Sequence, residues 1–317
     1  VPEPSFVGNT INKMLFFRNR LVLLSDENVI LSQPGEFFNF WPKSAITFTP
    51  SDVIDLSCSS EYPAIVYDAI QANAGLVLFT KNQQFLLTTD SDVLSPNTAK
   101  INSLSTYNFN YKSNPISLGT TLAFLDNAGK YTRFWEMARV LREGEPDVVD
   151  QSKIVSKLFD KDLDKISNSR ENGVVFFSKK DTSTLYGFRY FSASDKRIQQ
   201  AWFTWEFPGK IQHHAVLDDS LFLVLRNNSK DVLQKVSIKM DTDSATVTDD
   251  LDTTDTSDDI TYRIHLDNWS TVSIAANTYN SSTNKTTFPK PATGYEASSN
   301  QLALYDNSAG SGNADPI

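Results

Sequence analysis

Three histidines, one cysteine and 38 carboxylates are the groups in this 317-residue chain from which acid–base, nucleophilic or metal chemistry would have to be built. Their spacing speaks against most of it. A catalytic serine needs a histidine to take its proton, but only His213, His214 and His265 exist and no G-x-S-x-G elbow occurs. His213 and His214 precede the strand at Ala215, and neighbours on a strand point to opposite faces, so the pair is poorly placed to chelate one metal. Cys58 sits in Asp55-Leu56-Ser57-Cys58-Ser59 with no basic residue nearby to lower its pKa, which predicts a bland, buried thiol. Paired carboxylates for glycoside hydrolysis stay open, although no S-x-D-x-G-x-x-W box is present.

The acids concentrate in one tract. Asp241, Asp243, Asp249, Asp250, Asp252, Asp255, Asp258 and Asp259 appear among Ser and Thr with no Lys or Arg from 241 to 259, which reads as an exposed acidic loop or linker. Asp241-Thr242-Asp243 opens like a calcium loop, but the glycine at the sixth position and the closing glutamate are missing. The run Ala201-Trp202-Phe203-Thr204-Trp205-Glu206-Phe207 alternates strictly, so Phe203, Trp205 and Phe207 share one face of a strand and read as core rather than as a stacking platform. Sequons such as Asn227-Asn228-Ser229 and Asn284-Lys285-Thr286 add little by themselves. No catalytic, cofactor-binding or metal-binding residue is assigned, and no cofactor is expected.

The elements that would position any site are short apolar runs folding back through polar turns. Leu21–Leu24 turns into Val29–Leu31, Leu76–Phe79 into Phe85–Leu87, and Leu122–Leu125 into Tyr131–Trp135. Val174–Phe177 turns into Leu185–Phe191, and Leu221–Leu225 into Val232–Val236. The recurrence is about every fifty residues. A lone hairpin cannot bury both its faces, so hairpins at this spacing predict blades stacked radially: an all-β fold, a β-propeller of about five to six blades.

One helix is predicted. In Asp147–Phe159 the apolar residues Ile154, Val155, Leu158 and Phe159 fall on one helical face behind acidic residues, as a short insertion on the propeller edge would. The domain reading is a propeller-like unit over residues 1–240, the acidic loop or linker at 241–260, and a small β segment with a disordered tail over 261–317. Aromatic residues at 12% supply a core suited to pleated surfaces. The net charge of −9 opposes tight non-specific binding to nucleic acid. One cysteine excludes an intramolecular disulfide, as in a chain folded in a reducing compartment. No apolar run approaches the roughly 20 residues needed to span a bilayer as a helix. The opening Val1-Pro2-Glu3-Pro4, without an initiating Met, suggests a piece of something longer.

Particular strings go further than periodicity. Pro4-Ser5-Phe6-Val7-Gly8, Phe17-Arg18-Asn19-Arg20-Leu21, Glu27-Asn28-Val29-Ile30-Leu31-Ser32 and Phe37-Phe38-Asn39-Phe40-Trp41-Pro42 come in order. Asp52-Val53-Ile54-Asp55, Gln151-Ser152-Lys153-Ile154-Val155, Ala201-Trp202-Phe203-Thr204-Trp205 and Thr278-Tyr279-Asn280 with Thr286-Thr287-Phe288-Pro289 follow. Together they resemble the nozzle proteins, or tail tubular proteins B, of short-tailed bacteriophages, over about residues 4 to 290. The family subunit is much longer, so its platform-facing portion and distal tip are expected to lie outside this sequence.

The resemblance implies a structural protein of the virion tail, assembled in the cytoplasm of the bacterial host as a six-membered ring with the phage adaptor (tail tubular protein A) and tail fibre proteins. Such a ring is a channel through which genomic DNA leaves, passing without tight binding. An acidic wall suits that role, because the duplex carries about one negative charge per 1.7 Å and would be repelled rather than held. The eight Asp residues of the acidic tract are expected to line or rim the passage. Arg18 and Arg20, flanking Asn19 at a strand end, either pair with acids between blades or subunits or form a solvated strand-end pair. The alternative functions are a tail-associated propeller glycosidase and a host-receptor binding protein.

Overall fold

The computed structural model describes residues 3–44, 46–193, 196–238, 279–283 and 285–287. Three four-stranded antiparallel meanders come first, each ordered as its strands occur in the chain. They comprise β1 (Ile11–Phe17), β2 (Arg20–Ser25), β3 (Asn28–Leu31) and β4 (Ile54–Ser57); β5 (Val66–Ala72), β6 (Gly75–Thr80), β7 (Gln84–Thr89) and β8 (Ala99–Ser105); and β9 (Ile116–Ser117), β10 (Leu122–Asp126), β11 (Arg133–Ala138) and β12 (Asp147–Asp150). A six-stranded sheet follows: β13 (Lys165–Ser169), β14 (Val174–Ser178), β15 (Thr182–Ala193), β16 (Lys196–Leu217), β17 (Ser220–Asn227) and β18 (Lys230–Ser237). A separate two-stranded pair, β19 (Tyr279–Asn280) and β20 (Lys285–Thr286), completes the described elements.

The apolar runs of the sequence are the middle strands of these sheets. Strands β2, β6, β7, β10 and β14 are buried along their whole length, because both of their faces are covered, by sheets or, on the outer face of β2, by Phe6 and Phe40. Alternation then divides the side chains between two neighbours. Leu76 and Leu78 of β6 pack with Val22, Leu24, Val29 and Leu31 of the first sheet. Their intervening neighbours Val77 and Phe79 pack with Leu122 and Phe124 of the third. Ala123 and Leu125, one residue on, pack with Val175 and Phe177 of the fourth. Each fully buried Leu or Phe in such an interface contributes about 1.5–3 kcal/mol, so the stack is held chiefly by apolar contact. This face-to-face succession of meanders is the β-propeller arrangement, and the fold is all-β as the sequence predicts.

Two details differ from the sequence reading. The fourth and fifth hairpins are not separate blades: β16 runs for 22 residues, pairs with β15 along its first half and with β17 along its second, and so merges both into one sheet. That sheet curls on itself, enclosing Val174, Phe176, Leu185, Ile211, Leu221 and Leu223. The described residues therefore hold four stacked sheets where five to six blades are expected. The predicted helix over 147–159 is instead the edge strand β12 followed by a single 3-10 turn at Lys153–Val155. β-Branched Val148 and Val149 pair with β11, and the Asp150 carboxylate accepts the Ser152 backbone N–H and hydroxyl, ending the strand. The helical stripe dissolves accordingly, with Ile154 77% exposed while Phe159 fills the core between the third and fourth sheets.

Turn chemistry fixes the registers. Arg18 and Asn19 both have positive φ (46° and 59°) between paired Phe17 and Arg20, and Asn228 and Ser229 do the same between Asn227 and Lys230. These two-residue turns match the right-handed twist of the strands they join. In the curled sheet Gly187 lies directly under the Phe203 ring, where a Cβ would overlap it, so β15 carries glycine at the point where the aromatic face folds over.

Candidate functional site

The buried charged groups mark where chemistry would sit, and Arg20, Asp52, Asp68 and Glu136 are each tied into the framework. Arg20, 1% exposed at the start of β2, donates from Nη1 to the carbonyl oxygens of Ser32 (2.6 Å) and Asp52 (2.7 Å). Its Nη2 donates to those of Pro50 (3.0 Å) and Leu94 (3.3 Å). One guanidinium thus gathers both ends of the 32–53 connection and the β7–β8 connection of the next sheet. Burial lowers its pKa, with the Asp52 charge opposing that shift. Asp52 is held well below the usual carboxylate range, first by the Thr49 backbone N–H at 2.6 Å, with the Thr49 hydroxyl and the Lys43 N–H also donating to it.

Arg18, Asn19 and Arg20 are placed differently within the chain. Arg18 and Asn19 form the exposed hairpin turn, with Arg18 over the Phe17 ring. Arg20 bonds backbone carbonyls rather than acids. Sequence reasoning offered one sign of this hub: an arginine directly preceding the apolar run Leu21–Leu24 in a strand that proves buried throughout.

Two further charged ties join adjacent sheets. Lys13 of β1 meets Asp68 of β5 at 2.8 Å; burial raises the Asp68 pKa while Lys13 opposes the rise. Glu136 of β11 accepts both guanidinium nitrogens of Arg197 on β16, at 2.6 and 2.9 Å, together with the Thr121 hydroxyl and the Gln151 amide. Nothing in the sequence marked this pair, because Glu136 and Arg197 lie 61 residues apart.

The remaining reactive types are inert by placement. His213 is exposed and His214 is buried, on opposite sides of β16, with His214 Nδ1 2.7 Å from the Ser167 hydroxyl. Burial, helped by the His213 and Lys165 charges, pushes the His214 pKa down to about 3, so the ring is neutral at physiological pH. Burial pushes the Cys58 thiol up to about 12, the opposite of what a nucleophile needs. Among the described residues, no cluster of three or more His, Cys, Asp and Glu side chains is placed to hold a metal ion. Two clefts among the described residues, of about 290 and 320 Å³, are mostly apolar-lined. The first is lined by no acid; the second is lined by Glu3 and Asp55, and Asp55 is engaged by both the backbone N–H and the hydroxyl of Ser5. Phe203, Trp205 and Phe207, half-buried, pack against the core of the curled sheet. Asp241, Asp243, Asp249, Asp250, Asp252, Asp255, Asp258, Asp259 and His265 lie outside the described residues, as does the expected tail.

What the described residues offer is a stacked, internally tied wall. The family model for bacteriophage nozzle proteins matches residues 1–315. This chain belongs to that family. Among curated relatives it is 28% identical over 242 residues to the tail tubular protein gp12 of Escherichia phage T7, a match covering 74% of this chain and 30% of that protein. The nozzle-family chain thus spans less than a third of that relative's length. Solved structures with distant likeness include Hsv2 of Kluyveromyces lactis (TM-score 0.44, 10% identity, 73% of this chain and 61% of that one). The Pan2 WD40 domain of Neurospora crassa gives a TM-score of 0.41 at 8% identity, covering 74% of this chain and 65% of that one. Likenesses this remote carry no weight for function. Family membership supports a structural role in the phage tail.

Proposed function

We propose that this chain is a wall element of a ring-shaped tail nozzle, built from identical copies in a six-membered ring, through which the genome leaves the virion without being bound. The observation that carries the reading is the nozzle-family match along residues 1–315. The site chemistry is consistent with it. Every buried carboxylate described above bonds framework groups, the thiol is protonated and the buried imidazole is neutral, so function would rest on shape, stiffness and charge rather than on turnover. Adaptor and tail fibre proteins would be its neighbours, and assembly would occur in the host cytoplasm.

The net charge of −9 per copy supports a repulsive passage, since a duplex that slides must not be neutralised by the wall. On its charge alone, the tract from Asp241 to Asp259 is assigned to the passage. Electron micrographs of the complete nozzle protein mixed with its adaptor test the main reading: rings with a central hole are expected. Monomers alone, or glycan turnover by the purified protein, would refute it. Lysine at Asp249, Asp250 and Asp252 should slow genome ejection, and unchanged ejection kinetics would remove the tract from the passage.

A further inference from the structure

Beyond Arg189, the β15–β16 hairpin leaves its sheet. The β14 pairing ends at Val174 opposite Arg189, with one further bond from the Tyr190 N–H to the Gly173 carbonyl (2.8 Å), and β17 pairs only with Lys210–Leu217 of β16, so among the described residues 191–193 and 196–199 pair only with each other. Among the described residues this two-stranded arm has no strand on either flank, and isolated two-stranded ribbons are marginally stable in water. Phe191 and Ile198 on it are 60% and 64% exposed.

One side of the arm is nevertheless fixed. Arg197 forms the two-pronged pair with Glu136 of the third sheet, and its guanidinium lies over the rings of Phe188 (5.6 Å) and Tyr190 (4.9 Å). A register shift makes this possible. Phe191 faces Gln199 but Ser192 faces Arg197, so Ile198 is an extra, bulged residue. Without the bulge, Ser192 would face Ile198 and Arg197 would fall on the other side of the ribbon, because a one-residue slip reverses every side chain beyond it. The bulge therefore aims Arg197 at Glu136. Glu136 in turn is oriented by the Thr121 hydroxyl and the Gln151 amide, one from each neighbouring part of the third sheet.

We propose that Glu136 and Arg197 form a latch that sets the direction of the β15–β16 arm relative to the third sheet, and that the Ile198 bulge exists to bring the latch together. Both are positioning residues. Buried ion pairs contribute little net stability compared with apolar replacements, and their best-attested role is to specify one arrangement among several.

Hydrogen exchange on the complete chain tests this. Arg197→Met and Glu136→Gln should each speed exchange of the paired arm amides by about 100-fold while β10, β11 and β14 keep their protection. Deleting Ile198 removes the extra residue yet leaves Arg197 opposite Ser192, so that variant should keep the latch and native-like arm protection. Should the single variants fail to fold, the double variant Glu136→Leu/Arg197→Met leaves no unpaired charge, and its arm should still exchange faster than the native arm. Native-like arm protection in the double variant, or a loss of protection spread evenly over all sheets, overturns the latch.

Discussion

Replacing Arg20 by alanine tests how the first two sheets are joined. The guanidinium is 1% exposed and serves four carbonyl oxygens at 2.6, 2.7, 3.0 and 3.3 Å, drawn from Ser32, Asp52, Pro50 and Leu94. Hydrogen bonds from a charged donor contribute about 1.5–3 kcal/mol each, but desolvation of the buried cation takes back much of the total. What decides the outcome is that Arg20→Ala leaves four acceptors without their donor and a cavity beside β2. A loss of about 3–5 kcal/mol is expected, a large share of the roughly 5–15 kcal/mol that holds a domain together. Arg20→Lys should lose about half as much, because one ammonium presents three donors from a single point and cannot span carbonyls gathered by both prongs of a guanidinium. Denaturant unfolding measures the loss, and limited proteolysis should cut first within residues 32–53, whose two ends Arg20 holds. An Arg20→Ala midpoint displaced by no more than the ~0.5 kcal/mol typical of a surface substitution would refute the hub.

Gly187→Ala should destabilise by about 2–3 kcal/mol, because its Cβ overlaps the Phe203 ring, and Phe203→Ala in the same chain should recover part of the loss in thermal unfolding. His214 has a folded pKa near 3, below its unfolded value near 6.5, so the neutral ring stabilises fully above about pH 6.5 and that contribution drains as pH falls toward 3. Against native protein, His214→Met should show a flatter stability–pH curve across that window; parallel curves would count against it. Cys58, with its folded pKa raised to about 12, contributes stability that is present below about pH 8.5 and is lost as pH climbs toward 12. A thiol reagent at pH 8 should label it only after unfolding, and rapid labelling of native protein would show that the site is open.

The sequence was most legible where local pattern and tertiary environment coincide. All five predicted hairpins exist: β2–β3, β6–β7, β10–β11 and β14–β15 lie inside their sheets and β17–β18 ends the fourth, and the runs Leu21–Leu24, Leu76–Phe79 and Val174–Phe177 are continuously apolar because both of their sides are covered. The flanking strands left little trace. β4 alternates only weakly, β8 carries Lys100 and Asn102, and β12 looked helical because Val148 and Val149 sit beside a stretch whose apolar spacing imitates a helix. Edge strands need apolar character on one face at most, so their composition approaches that of loops. The inertness of Cys58 and the opposite placement of His213 and His214 could be read locally, from neighbours one or two positions away.

By itself, then, the chain's order of residues determined the all-β class and the hairpins, since each rests on contacts between near neighbours in the sequence, and its ordered strings carried the likeness to phage nozzle proteins. Only the tertiary structure decided that β16 joins two hairpins into one curled sheet, that Arg20 binds carbonyls instead of acids, and that Glu136 finds Arg197 across 61 residues. The physical reason is common to all three. A buried charge or a merged sheet is fixed by which distant backbone and side-chain groups arrive beside it, and local periodicity carries no record of that meeting.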